Sequence, residues 1–76
     1  MNKRQQLIEY VTQDVIAFIV DDRQTDMEEA MRRFYLSDTY EKLLDEDTGL
    51  YLEGSAYIYE IFKAEFQAGK LTQIEY

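Results

Sequence analysis

The chain has 76 residues, with sixteen acidic side chains against eight basic ones and a formal net charge of −8. It contains no cysteine and no histidine, which excludes disulfides and thiolate zinc sites and removes the commonest general base and metal ligand. The length permits one small domain, residues 1–76, and no apolar run approaches the ~18 residues that span a bilayer.

These bulk properties set the expected location and partners. Polar residues interrupt the segment after the basic N-terminus, so it is not a secretory signal, and we expect a soluble cytoplasmic protein without a membrane partner. Nucleic-acid binding relies on Lys and Arg neutralising phosphates, so direct binding to nucleic acid is not expected of so acidic a chain. The expected partner is another protein of basic charge, or a second copy of the chain. The alternative explanation of the charge is solubility alone.

The first segment, about residues 4–22, is predicted to be the central helix. Leu7, Val11, Val15 and Phe18 recur at helical spacing, with further isoleucines widening the apolar side. Residues 15–20 are rich enough in β-branched side chains for a strand, but their continuity with the upstream periodicity favours a helix.

A second helix is predicted over about residues 26–36. Thr25 is expected to be its N-cap, because Glu28 follows three residues later and the pair has the pattern of a capping box. Acidic residues fill the first turn and two arginines lie near the far end, as the helix dipole favours.

A short third helix is expected over about residues 38–45, capped by Ser37 or Asp38. Tyr40, Leu43 and Leu44 are predicted to point inward. A turn at residues 47–49 should follow, with Gly49 supplying a positive φ.

Two structures are compatible with residues 50–66. A β-hairpin would use Gly54-Ser55 as its two-residue turn. The alternative is a short extended segment near residues 50–53, then a helix capped by Ser55 and running to about residue 68. The helical spacing of Ile58, Phe62 and Phe66 favours the helix.

The predicted fold is therefore all-α, a compact bundle of three to four short helices. Gly69-Lys70 is expected to end the last helix. Residues 71–76 are expected to form a short strand or a frayed end.

The sequence indicates no catalytic or metal site. In an EF-hand loop starting at Asp45, Gly49 falls one position too early and Ala56 stands where the closing glutamate is needed. Acidic pairs are too common for any one to carry weight. Asp14 comes closest to an apolar surrounding, but a solvated helix edge is the expected position. We therefore predict a protein that is not an enzyme and has no cofactor or metal.

Tyrosines and acids together suggest an interaction surface. The chain has seven tyrosines, and in a helix Tyr57 and Tyr59 point about 200° apart, so at least one of them, with Tyr51, should lie near the surface. Residues 21–53 carry eleven acids and four bases. The candidate interaction residues are Tyr51, Tyr57, Tyr59, Asp45, Glu46 and Asp47. The alternative is that each tyrosine packs at the edge of the core with its hydroxyl in water.

Residues 27–65, MEEAMRRFYLSDTYEKLLDEDTGLYLEGSAYIYEIFKAE, resemble a family of short, acidic, uncharacterised bacterial proteins. The shared pattern is a Phe-Tyr-x-Ser-x-x-Tyr-Glu-Lys-Leu segment, a Thr-Gly-Leu-Tyr-x-Glu-Ser-like segment and a Tyr-x-Tyr-Glu helix. Gly54-Ser55 departs from the second segment, which puts the helix cap in doubt. Members of the family lie in toxin–antitoxin-like gene neighbourhoods, so the resemblance implies an antitoxin-like or accessory role.

Three functional hypotheses follow. The first is a non-catalytic protein-interaction module. The second is an acidic mimic of DNA that occupies a nucleic-acid-binding protein, which requires carboxylates spaced like phosphates along one face. The third is a small enzyme or ligand-binding domain, which requires a pocket with a buried carboxylate.

Overall fold

The computed structural model describes the backbone of residues 2–75 and the side chains of residues 2–67. Within that range the chain forms four α-helices and two single 3-10 turns, and no strand. The helices are α1 (Lys3–Arg23), α2 (Met27–Tyr35), α3 (Asp38–Leu44) and α4 (Ser55–Glu75), and the 3-10 turns span Glu46–Thr48 and Leu50–Leu52. The predicted all-α bundle is confirmed, and the hairpin is not formed.

Helix α1 starts at a capping box that the sequence analysis did not identify. The Asn2 side chain accepts from the Gln5 backbone N–H at 2.8 Å, and the Gln5 side chain accepts from the Asn2 backbone N–H in return. The β-branched run of residues 15–20 is helical, as predicted, and Val15 and Ile19 are fully buried. The helix ends where Gln24 adopts a left-handed conformation with φ 55°.

The N-cap of α2 is Asp26, and the predicted cap at Thr25 was wrong. Asp26 has extended backbone angles, and its carboxylate accepts from the Glu29 N–H at 2.8 Å. Both residue types can cap a helix, but Asp is the stronger cap and adds a negative charge at the positive end of the dipole. The helix therefore begins one residue later than the Thr25 cap implied.

Ser37 resolves the alternative at the start of α3. Its hydroxyl accepts from the Tyr40 N–H at 3.1 Å, and Asp38 is the first helical residue. Leu43 is buried and Tyr40 half-buried, as expected, but Leu44 is exposed. Leu44 is the last residue of a seven-residue helix and points about 100° away from Leu43 around it, on a side that is open to solvent.

The connection from α3 to α4 is a pair of 3-10 turns, not an extended segment. Gly49 has φ 66°, as the predicted turn requires. The Thr48 hydroxyl donates to the carbonyls of Lys42 and Asp45 and accepts from the Leu50 N–H. These local bonds tighten the chain, so residues 50–52 coil instead of extending.

Helix α4 begins at Ser55, but Ser55 is not its cap. The Gly54 carbonyl accepts from the N–H groups of Tyr57 and Ile58, which makes Gly54 the cap position. The Ser55 hydroxyl donates instead to Asp14 at 2.7 Å. The predicted Ser55 cap was therefore wrong.

The predicted stop at Gly69-Lys70 was also wrong, because α4 continues through both residues to Glu75. One glycine inside a helix costs only about 1 kcal/mol relative to alanine, and the neighbouring Ala68 and Leu71 are strong helix formers. Residues 71–75 are helical, and Tyr76 lies outside the described residues.

Helix α1 is the central helix, as predicted, and packs against both α2 and α4. Helix α4 runs parallel to it, because contacts join Asp14 to Ser55, Asp22 to Tyr59, and Arg23 to Phe66. The core is formed by side chains from all four helices: Ile8, Val11, Val15, Ile16, Ile19, Ala30, Phe34, Leu43, Ile58, Tyr59 and Phe62.

Candidate protein-binding surface

The acidic turn after α3 is fixed by contacts of its own carboxylates. The Asp45 carboxylate accepts from the Asp47 N–H at 3.0 Å, and Glu46 lies 3.9 Å from the Arg4 guanidinium. Asp45, Glu46 and Asp47 are all exposed. Across the residues whose side chains the structure describes, no three acidic side chains are grouped closely enough to hold a metal ion.

The three candidate tyrosines occupy different environments. Tyr57 is 54% exposed, Tyr51 is half-buried against the core, and Tyr59 is only 9% exposed. Tyr57 lies at the surface, as predicted for at least one of Tyr57 and Tyr59, whereas Tyr51, which was also expected near the surface, packs against the core. Tyr59 lies mostly on the core-facing side of α4 beside Ile58, so only a small part of its ring faces solvent.

Leu52 is an exposed apolar residue that the sequence analysis missed. It is 68% exposed, whereas Leu50 and Tyr51 pack against the core. A 3-10 turn has three residues per turn, so three successive side chains point in three directions. With Leu50 and Tyr51 facing inward, Leu52 points away, a result that depends on recognising the 3-10 geometry.

Exposed residues of this segment form what we call the 45–57 surface. Its members are Asp45, Glu46, Asp47, Leu52 and Tyr57. Asp45 caps the first 3-10 turn, which contains Glu46 and Asp47, while Leu52 ends the second 3-10 turn and Tyr57 lies in the first turn of α4. The segment thus exposes three carboxylates and, five to twelve residues later along the chain, two apolar side chains.

A second feature, which we call the aromatic cleft, lies between α1 and α4. It has a volume of about 290 Å³ and is lined by Phe18, Asp21, Asp22, Ala56, Tyr59 and Glu60. The ring centroids of Phe18 and Tyr59 are 5.4 Å apart. The only sequence signal for the cleft is the four-residue spacing of Asp14, Phe18 and Asp22, which places all three on one side of α1.

Tyr59 is fixed in the cleft by its hydroxyl, which donates to the Asp22 carboxylate at 2.5 Å. Burial of the ring, and then the bond and charge of Asp22, raise the pKa of Tyr59 to about 12. The phenol therefore stays protonated and serves as a structural donor.

Asp14 is half-buried, not on a fully solvated helix edge as expected. Its carboxylate accepts from the Ser55 hydroxyl and so joins α1 to the start of α4. Glu65 is likewise partly buried, and accepts from the N–H groups of Asp38 and Thr39 and from the Thr39 hydroxyl. Both carboxylates therefore have structural roles that satisfy them.

Two further grooves run along α1 on the side of α2 and α3. The larger, about 440 Å³, lies over Ile8, Tyr40 and Leu44 with Arg4 at its rim, and the smaller, about 210 Å³, extends it to Tyr35. Glu9, the carboxylate at both grooves, is exposed.

In the part of the chain that the structure describes, every helix is too short or too polar to cross a membrane. Comparison of the chain with protein-family models, curated proteins and solved structures finds no match. The similarity of residues 27–65 to short acidic bacterial proteins therefore stays a prediction.

Proposed function

We propose that the chain is a non-catalytic protein-interaction module that binds a basic protein through the 45–57 surface. The resemblance of residues 27–65 adds the expectation that this partner is bacterial and that the chain acts as an antitoxin-like or accessory subunit. The observation that carries the proposal is the exposure of Leu52 and Tyr57, which follow three exposed carboxylates by five to twelve residues along the chain.

The apolar part of this surface can supply affinity. Burying a leucine side chain fully is worth roughly 1.5–3 kcal/mol, and tyrosine is among the residues enriched at binding hot spots. Neither Leu52 nor Tyr57 belongs to the buried core, so the fold does not require them. Their apolar area is available to a partner.

The charged part of this surface can supply selectivity for basic partners and a faster rate of association. Asp45, Glu46 and Asp47 lie in a chain of net charge −8, and such a field accelerates encounter with a positively charged protein while disfavouring acidic ones. Pairing of two copies through this surface would bring like charges together, so a heterologous partner fits better.

The DNA-mimic alternative is less well supported, because many carboxylates are engaged within the chain. Six carboxylates accept hydrogen bonds within the chain: Asp14, Asp22, Asp26, Glu29, Asp45 and Glu65. Arg32 and Arg33 bond to Glu29 and lower the pKa of its carboxyl. Groups committed to caps and interhelical bonds are poorly placed to imitate a regular row of phosphates.

The test is affinity capture from lysate of the source organism at low and high salt, with mass spectrometry of the retained proteins. We expect one stoichiometric basic protein that is lost at high salt and lost from a Leu52→Ala/Tyr57→Ala variant. Leu36→Ala is the matched control, because Leu36 is 75% exposed at the end of α2, outside the 45–57 surface. Equal capture by both variants would refute the proposed surface.

A further inference from the structure

We propose that the aromatic cleft binds an arginine side chain of the partner protein. This inference rests on the proposed function, since it names the chemistry by which a basic partner is recognised. The cleft is a separate feature from the 45–57 surface and has its own lining residues, so it can be tested separately.

The cleft has an apolar base and an acidic rim. Phe18, Ala56 and Tyr59 supply the base, where the ring centroids of Phe18 and Tyr59 are 5.4 Å apart. Asp21, Asp22 and Glu60 supply the rim. Its volume of about 290 Å³ lies just below the usual range for small-molecule pockets, about 300–1,000 Å³, and suits a single inserted side chain.

A cation of the chain itself already lies against this cleft. The Lys63 ammonium is 5.4 Å from the centroid of the Tyr59 ring and 3.6 Å from a Glu60 carboxylate oxygen. The Tyr59 ring and the Glu60 carboxylate thus already lie beside a positive charge. Because exposed ion pairs of this kind contribute only about 0–1 kcal/mol, an incoming cation can displace Lys63.

The geometry favours arginine over lysine. A guanidinium is planar and stacks on aromatic rings while its fork of donors meets carboxylates. Two turns further along α4, the guanidinium groups of Arg23 and Arg33 lie 4.5 Å and 5.4 Å from the centroid of the Phe66 ring. Asp22 already accepts from Tyr59, which leaves Asp21 and Glu60 as the main acceptors for the guanidinium.

The cleft adjoins the 45–57 surface. Tyr57 precedes Glu60 by three residues on α4, and side chains at this spacing are neighbours on a helix surface. A partner that covers Leu52 and Tyr57 can therefore place an arginine in the cleft without a separate contact site.

The test is an NMR titration of the ¹⁵N-labelled chain at low salt with the peptide acetyl-Gly-Gly-Arg-Gly-Gly-amide. The control peptide carries citrulline, which has nearly the same shape without the charge. We expect saturable shifts at the amides of Phe18, Ala56 and Glu60 with the arginine peptide, and at least a tenfold weaker response with citrulline.

Removing the competing lysine and removing an acidic rim residue should change the affinity for the arginine peptide in opposite directions. Lys63→Gln removes the competing ammonium and should tighten binding about two- to fivefold, by the ~0–1 kcal/mol of an exposed ion pair. Glu60→Gln and Asp21→Asn should weaken it by a similar factor. Lys42→Gln and Glu41→Gln, on α3, change the net charge equally and should have smaller effects.

Equal shifts with citrulline, equal tightening by Lys42→Gln, or shifts spread over the whole acidic surface would each overturn the proposal. Failure of the two proposals is distinguishable. An unresponsive cleft with normal capture of a partner rejects the cleft alone. A responsive cleft with capture unaffected by Leu52→Ala/Tyr57→Ala rejects the 45–57 surface alone.

Discussion

At the scale of single residues, the polar contacts between helices depend on a few carboxylates. Glu65 of α4 accepts two backbone N–H groups at the start of α3, each at 2.7 Å, and the Thr39 hydroxyl at 2.6 Å. A seven-residue helix is unstable alone, so α3 depends on such support. Nothing in the sequence identified this partner, because the two segments are 26 residues apart.

We predict that Glu65→Ala lowers the free energy of unfolding by roughly 1–3 kcal/mol, since it leaves the first N–H groups of α3 without their acceptor. Urea denaturation followed by circular dichroism measures the change. Glu60→Ala is the control on the same helix. It removes only an exposed pair with Lys63 and should cost no more than about 0.5 kcal/mol. Equal losses from the two substitutions would contradict the capping role.

Tyr59 gives the fold a specific alkaline sensitivity. Its pKa is raised to about 12 in the folded chain, above the ordinary value near 10 of an unfolded tyrosine. The stabilisation is therefore complete below about pH 10 and is lost as the pH rises through 12, because the unfolded state releases the proton first.

We predict that the free energy of unfolding falls between pH 10 and pH 12 by on the order of 2 kcal/mol more in the native chain than in Tyr59→Phe. At neutral pH the same substitution should cost about 0.5–1.5 kcal/mol, because it removes one hydrogen bond to an exposed carboxylate. Urea midpoints measured at pH 7, 10 and 11.5 supply the comparison. Parallel pH profiles for the two proteins would show that the Tyr59–Asp22 bond does not stabilise the fold.

At the scale of elements, sequence patterns correctly predicted the helices and turns that depend on interactions between residues close in the chain. The periodicity of residues 4–22 identified α1. The errors arose where a tertiary or competing contact decided the outcome. Ser55 donates to Asp14 across the α1–α4 interface, and Leu52 is exposed because its two predecessors pack on the core.

The correction at the start of α2 can be tested directly. We predict that Asp26→Ala costs about 0.5–2 kcal/mol, since it removes the cap of the Glu29 N–H. Thr25→Ala should cost less than about 0.5 kcal/mol, as expected for a residue outside the cap. The free energies of unfolding from chemical denaturation decide between the two, and a larger loss at Thr25 would restore the original prediction.

At the scale of the whole molecule, one small core supports the fold and leaves a charged exterior with exposed aromatic and aliphatic side chains. The all-α class and the central position of α1 could be predicted, because both follow from apolar spacing. The candidate interaction site could be predicted only in part. The sequence identified the acids at 45–47 and Tyr57, but it could not distinguish Tyr59, which faces the core, from residues that face solvent.

The central claim is that the 45–57 surface binds a basic protein, and the most direct measurement is the affinity of the captured partner for matched variants. Isothermal titration should show the Leu52→Ala/Tyr57→Ala chain binding at least tenfold more weakly than the native chain, a loss of about 1.4 kcal/mol or more, with Leu36→Ala unchanged. Native-like affinity in the double variant, or an equal loss in Leu36→Ala, would contradict the claim.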